Sequence, residues 1–172
     1  MTRSEIESIA EETLRENNVY SVPVDIDRLV KRLNLTKEET EFGEDISGVL
    51  VVKNQQGAIG YNSTHPLVRQ RFTIAHEIAH FLVHVRNNQS QLFIDRYIAW
   101  RDPSSSTGND HEEVEANRLG AALLMPGKLV REQIEKNGLD LDDESDISSL
   151  AGIFKVSAAA MTNRLISLRL LR

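Results

Sequence analysis

Arg71-Phe72-Thr73-Ile74-Ala75-His76-Glu77-Ile78-Ala79-His80-Phe81-Leu82-Val83-His84 carries a His-Glu-x-x-His core inside an otherwise apolar run. No Gly or Pro interrupts it, so the stretch is predicted to be helical. Four residues apart on a helix, His76 and His80 share one face and can reach one small cation from the same side. Glu77 follows the first of them, so its carboxylate can lie beside that cation and accept a proton from water. A zinc peptidase needs these residue types in this order. The competing reading, two unrelated histidines on a surface helix, expects polar neighbours. Phe72, Ile74, Ala75, Ile78, Ala79, Phe81, Leu82 and Val83 instead predict burial on most sides, where polar groups must be satisfied by something.

The chain as a whole narrows the chemistry. Its 172 residues suit one well-buried domain and are too few for two ordinary ones. We read 1–172 as that single domain: N-terminal helices to residue 45, then sheet, active-site helix and third-ligand helix over 46–126, then a C-terminal helical segment over 127–172. The chain has no cysteine, which excludes thiolate sites, so any metal must be held by His and carboxylates. Met1 to Glu12 is acidic without an apolar centre, so no signal peptide is expected. No run approaches the roughly 20 apolar residues of a membrane span. A cytoplasmic protein without a membrane partner is expected. The net charge of -6 argues against nucleic acid as the main ligand.

Upstream of the motif, Ser4 to Asn17 reads as an amphipathic helix, with Ser4 and Glu7 as a capping box and Ile6, Ile9, Ala10 and Leu14 on one face. Asp25 can cap a second, short helix carrying Ile26, Leu29, Val30 and Leu33. Both helices look like core packing. From Ile46 the period changes: Ile46 to Val52 and Ala58 to Tyr61 are strand-like, with Lys53 to Gly57 as a hairpin turn. Such strands either lend a free edge to an extended peptide or simply cover the helix. Thr64 is the expected cap of the central helix, with Pro66 in its first turn. His65 is expected at the surface, and Arg69 and Arg71 to pair with acidic neighbours or substrate.

His84 repeats the four-residue spacing, but a metal between His76 and His80 would lie roughly 9 Å back along the axis at ~1.5 Å per residue. A supporting role is expected for it, not ligation. Arg86 to Asp110 reads as irregular, with Trp100 and a loop over 102–110 that suits a lid or disorder. A helix then resumes with Asn109 or Asp110 as cap. It is the only later place where carboxylates abut a strongly apolar helix, so the third ligand belongs here. Glu112, Glu113 and Glu115 compete. Glu113 and Asn117 share a face with the small and apolar Gly120, Ala121 and Leu124, which favours Glu113, with Glu115 next. Asn117 can hydrogen-bond a ligating histidine from one turn away.

Beyond Pro126 a helix runs through Leu129, Val130 and Ile134 and is closed by Asn137-Gly138. The tail after the acidic loop Asp140 to Asp146 is basic, and Leu150 to Met161 reads as helix, turn, helix. Ala158, Ala159 and Ala160 stand where a recognition helix would need base-reading side chains. Packing is therefore expected there, and direct nucleic-acid binding is not. Helices around a short strand pair predict an α+β class: a mostly helical metallopeptidase domain, a small sheet beside the His-Glu-x-x-His helix, and a helix-turn-helix-like C-terminal segment.

Arg69-Gln70-Arg71-Phe72-Thr73-Ile74-Ala75 before His-Glu-Ile-Ala-His, then Glu113-Val114-Glu115-Ala116-Asn117 and Ala122-Leu123-Leu124-Met125-Pro126, resemble the ImmA/IrrE family of metallopeptidases. The similarity extends from about Val24 to the C-terminus. It implies a zinc site of gluzincin type, with Glu113 at the position of the third ligand. Leu119-Gly120, where the family usually has Phe-Ala, is a difference in packing. The resemblance also implies cleavage of a helix-turn-helix repressor that frees mobile-element or stress genes. In this reading His76, His80 and Glu113 hold Zn2+, with Mn2+ able to substitute in vitro, and Glu77 is the base. An oxyanion donor is still required, and His111, Tyr97 and the arginines compete for it. Two other classes stay open: a zinc-binding regulator that sequesters its repressor partner without cutting it, and a DNA-binding regulator using the C-terminal helices.

Overall fold

The computed structural model describes residues 1–43, 45–85, 91–96 and 108–171. It is an α+β fold in which, among these residues, seven helices surround a four-stranded mixed sheet. Helix α1 (Arg3–Glu16) buries Ile6, Ala10 and Leu14. Its capping box is Thr2 with Glu5, not Ser4 with Glu7. Both pairs fit the same spacing, but Ser4 lies within the first turn and Glu7 is drawn inward to Arg164. Helix α2 (Ile26–Arg32) starts at Asp25, whose carboxylate accepts from the Arg28 amide at 2.9 Å.

Strands β1 (Thr36–Thr40), β2 (Ile46–Lys53), β3 (Gln56–Asn62) and β4 (Gln91–Arg96) lie in the order β1-β3-β2-β4. The hairpin turn is Asn54-Gln55, both at positive φ, as a two-residue turn between right-twisted strands requires. β3 pairs parallel to β1 and antiparallel to β2, and β4 lies antiparallel along the other side of β2. The two strands expected from sequence are therefore both interior, and neither offers a free edge. Among the described residues the edges belong to β1 and β4. Strand β4 falls within the stretch read as irregular and corrects that expectation, while Tyr97, Trp100 and most of the loop over 102–110 lie outside the described residues.

Leu50, Val52 and Ile59 turn from the sheet into the core, against helix α3 (Leu67–Val83). Thr64 does not cap α3. Its amide and hydroxyl both bond Asn62 Oδ1, at 3.1 and 2.8 Å, while the Asn62 amide donates to the Ile46 carbonyl. The helix opens on Pro66 without a side-chain cap, and Gln70 reaches back to the Ser63 and His65 carbonyls instead. His65 is half-buried at the surface, and that partial burial pushes its imidazole down. Arg69 bonds Ser47 and Arg71 bonds the Val24 carbonyl, so both arginines tie α3 to its surroundings.

Helix α4 (Gly108–Leu124) starts ahead of Asn109 and Asp110 and packs on α3 at Ala75 and His76, while β2 meets α3 at Thr73 and Glu77. Gly120 lets the two backbones meet: a Cβ there would lie 3.1 Å from the His76 amide nitrogen. Helices α5 (Gly127–Asn137), α6 (Glu144–Phe154) and α7 (Ala158–Ser167) complete a buried cluster that runs from Ile6 to Leu168. Arg164 on α7 is almost wholly buried; it bonds the Met125 carbonyl at 2.9 Å and pairs with Glu7 at 2.7 Å. No helix of the described residues is long and apolar enough to cross a membrane.

Candidate metal centre

Thr73 to His80 are buried without a break, because the sheet covers one side of α3 and α4 the other. Helical spacing then sets His76 and His80 side by side, with their Nε2 atoms 3.0 Å apart. From α4, Glu113 lays one carboxylate oxygen 3.2 Å from His76 Nε2 and the other 3.2 Å from His80 Nε2. Zinc with nitrogen or oxygen ligands at about 2.0–2.1 Å in a tetrahedron requires ligand atoms about 3.3 Å apart. The three side chains already stand at nearly that separation. Among the described residues they are the His76, His80, Glu113 group that could hold a metal ion. The donor set of two imidazoles and a carboxylate fits a divalent ion such as zinc.

The far nitrogens fix the rings. His76 Nδ1 lies 3.1 Å from Asn117 Oδ1, as the spacing of Glu113 and Asn117 on α4 anticipates. His80 Nδ1 lies 3.0 Å from His84 Nδ1, and the Phe93 ring of β4 stacks on the His80 ring with centroids 4.8 Å apart. His84 thus lies outside the group that could hold a metal and sits directly behind His80. Glu115 points the other way from Glu113, to His84 Nε2 at 3.4 Å and to the Met1 amino group. Glu112 and the exposed His111 are not part of the cluster.

Electrostatics match this arrangement. Burial alone would raise the Glu113 carboxyl, but hydrogen bonds to His76 and His80 and their charge outweigh it and hold it at about 2. Burial pushes His80 down, so the ring favours its neutral, ligating form. The Glu113 side chain remains 38% exposed while both histidines are buried, so solvent reaches the cluster from the Glu113 side.

Glu77, the residue after His76 on α3, is fully buried with its carboxylate against β2. Gly48 makes room for it: a Cβ at that position would fall 2.8 Å from Glu77 Oε1 and 2.4 Å from Thr73 Cγ2. Sequence reasoning passed over Gly48, because a lone glycine in a strand pattern signals a close approach without saying to what.

The IrrE N-terminal-like domain of the M78 peptidases matches residues 29–166. The chain belongs to this family. A search of curated proteins returned no match. The matched M78 span takes in α3 and α4 entire, and with them every residue of the cluster. In this M78 chain the resemblance seen in the sequence and the geometry therefore agree on a metallopeptidase-type domain with a His-His-Glu group that could hold a metal ion.

Proposed function

We propose that this chain is a zinc-dependent endopeptidase of the cytoplasm that cuts a helix-turn-helix repressor and so derepresses mobile-element or stress genes. The observation that carries the enzymatic part is the His76, His80, Glu113 group, with Glu77 following His76 on the same buried stretch of α3. His76, His80 and Glu113 are the residues that would hold the metal, whose Lewis acidity activates water and polarises the scissile carbonyl. Glu77 takes a proton from the attacking water and returns it to the leaving amine. Buried against β2, it has little freedom to swing away, so acceptor and donor positions stay fixed through both transfers. Strand β4 stands next to His80 through Phe93 and has a free edge among the described residues, so it suits an extended peptide bound by main-chain hydrogen bonds.

Support for a protein substrate over DNA comes from the tail. Arg164, one of its few basic residues, is turned inward to Glu7, and the first turn of α7 exposes Ala158 and Ala159. The test is incubation of the purified chain with zinc and a helix-turn-helix repressor, followed by mass spectrometry of the products. Glu77→Gln should keep its zinc and lose about 10²–10⁴-fold in cleavage rate. Full activity in that variant would remove Glu77 as the base, and an uncut complex with the wild-type chain would replace cleavage by sequestration.

A further inference from the structure

We propose that His84 and Glu115 are positioning residues that hold His80 as a metal ligand through one directed chain of hydrogen bonds. The inference rests on the metal-centre reading above and adds to it the way one ligand is oriented. His80 Nε2 faces His76 and Glu113, at 3.0 and 3.2 Å, so it is the nitrogen turned to the metal position. A neutral imidazole that offers a lone pair there carries its hydrogen on Nδ1. The Nδ1 atom lies 3.0 Å from His84 Nδ1, which must then accept. His84 in turn carries its hydrogen on Nε2, and the group facing that atom is the Glu115 carboxylate, at 3.4 Å. The opposite tautomer of His84 would set two N–H groups against each other across 3.0 Å.

Sequence spacing builds this chain. His76, His80 and His84 recur every four residues and form one stripe on α3 and its C-terminal cap, where the His84 amide bonds the His80 carbonyl. Glu113 and Glu115, two apart on α4, project to different sides, one to the metal position and one behind it. His84 is buried, so a nitrogen left without a partner there carries a full desolvation penalty. The two histidine ligands are thus supported differently: His76 by the neutral amide of Asn117, and His80 by an imidazole backed by a carboxylate. Partners behind a ligating histidine fix its tautomer and raise its basicity.

The test uses the whole metal-free chain and zinc alone, with affinity read by competition against a chromophoric chelator. His84→Leu keeps bulk but removes the acceptor. His84→Asn keeps an acceptor oxygen close to where Nδ1 stood. We expect His84→Leu to lose about 10–100-fold in zinc affinity and His84→Asn to stay within about threefold of wild type. The visible spectrum of the cobalt-loaded chain should shift in His84→Leu and not in His84→Asn. Wild-type affinity in His84→Leu, or an equal loss in both variants, would overturn the positioning role. If the wild-type chain takes up no zinc, the metal centre itself is wrong, and the inference falls with it. Should His84→Leu fail to fold, as judged by circular dichroism without metal, Glu115→Ala decides, because that side chain is partly exposed. Affinity at least about threefold weaker supports the chain of bonds, and unchanged affinity overturns it.

Discussion

Among the described residues, a polar cluster around Arg164 and another around His76 and His80 lie between helices and are built on opposite principles. Around Arg164, donors meet acceptors: the guanidinium bonds the Met125 carbonyl and Glu7, and Glu7 also accepts from the Gly127 amide. Around His76 and His80, acceptors converge. In the tautomer that would bind a metal, with Nδ1 hydrogens directed to Asn117 and His84, the neutral rings point two Nε2 lone pairs and the Glu113 carboxylate at one place. A cluster closed by its own donors holds helices together and asks for nothing more. Convergent acceptors repel one another in a low-dielectric interior unless a cation or proton sits among them. Burial alone therefore does not mark a site. The balance of donors and acceptors does.

The sharpest way to break this comparison is to remove one carboxylate from each cluster. Glu113→Gln should abolish tight zinc binding, read by equilibrium dialysis, while the thermal midpoint of the metal-free chain falls only slightly, because the partly exposed carboxylate is screened by solvent. Glu7→Ala should do the reverse. It leaves the buried Arg164 guanidinium with the Met125 carbonyl but without its counter-charge. Since Glu7 is partly exposed, the cost falls at the lower end of the ~3–5 kcal/mol of a broken buried pair, a fall of roughly 10 °C in a chain of this size. Zinc affinity of the folded Glu7→Ala chain should be unchanged. If Glu7→Ala lowered zinc affinity as far as Glu113→Gln, the two clusters would not be independent and the distinction would fail.

The two clusters also differ in how far the sequence reveals them. His76, Glu77 and His80 lie within five residues, and their apolar setting shows that the helix is buried. Glu113 and Asn117 follow from one helical repeat and from the small face that holds Gly120. Such local periodicity survives without knowledge of the fold. The Glu7–Arg164 pair spans almost the whole chain, and no local pattern joins its halves. Strand β1, Thr36-Lys37-Glu38-Glu39-Thr40, is exposed along most of its length and has no alternation to read; its pairing with β3 creates it. β4 likewise depends on β2, some forty residues earlier. The misplaced cap on α1 has a different cause: Thr2/Glu5 and Ser4/Glu7 satisfy the same rule, and only the tertiary demand for Glu7 by Arg164 separates them.

Gly48 sharpens the comparison within the site, between holding a metal and using it. Gly48→Ala forces a methyl group into Thr73 Cγ2 and Glu77 Oε1, so β2 or the Glu77 carboxylate must move. The atoms nearest that position belong to Thr73, Glu77 and Gly60, not to His76, His80 or Glu113. The expected result is near-normal zinc uptake with kcat down by up to about 10²-fold, the scale on which misplacement by an ångström acts. Loss of zinc together with activity would mean that the sheet supports the ligands as well as the base.

The smallest expected effect concerns protons in the metal-free chain. Glu113 is held at about 2 against an ordinary 4.5, and burial holds His80 below its ordinary 6.5. Both folded-state values are depressed, so folding favours the deprotonated groups. The stability they contribute is present above the ordinary values. It is lost as pH falls, first through the histidine range below 6.5 and then between 4.5 and about 2. Glu113→Gln should flatten the lower part of that acid limb in urea melts taken at successive pH values. The change will be modest, because the Glu113 side chain is partly exposed and solvent screens it. Saturating zinc should make the pH dependence in the histidine range steeper in the wild-type chain, since protons then compete with the metal for both rings. In Glu113→Gln that steepening should vanish with the metal, whereas in Glu7→Ala it should persist at lower overall stability.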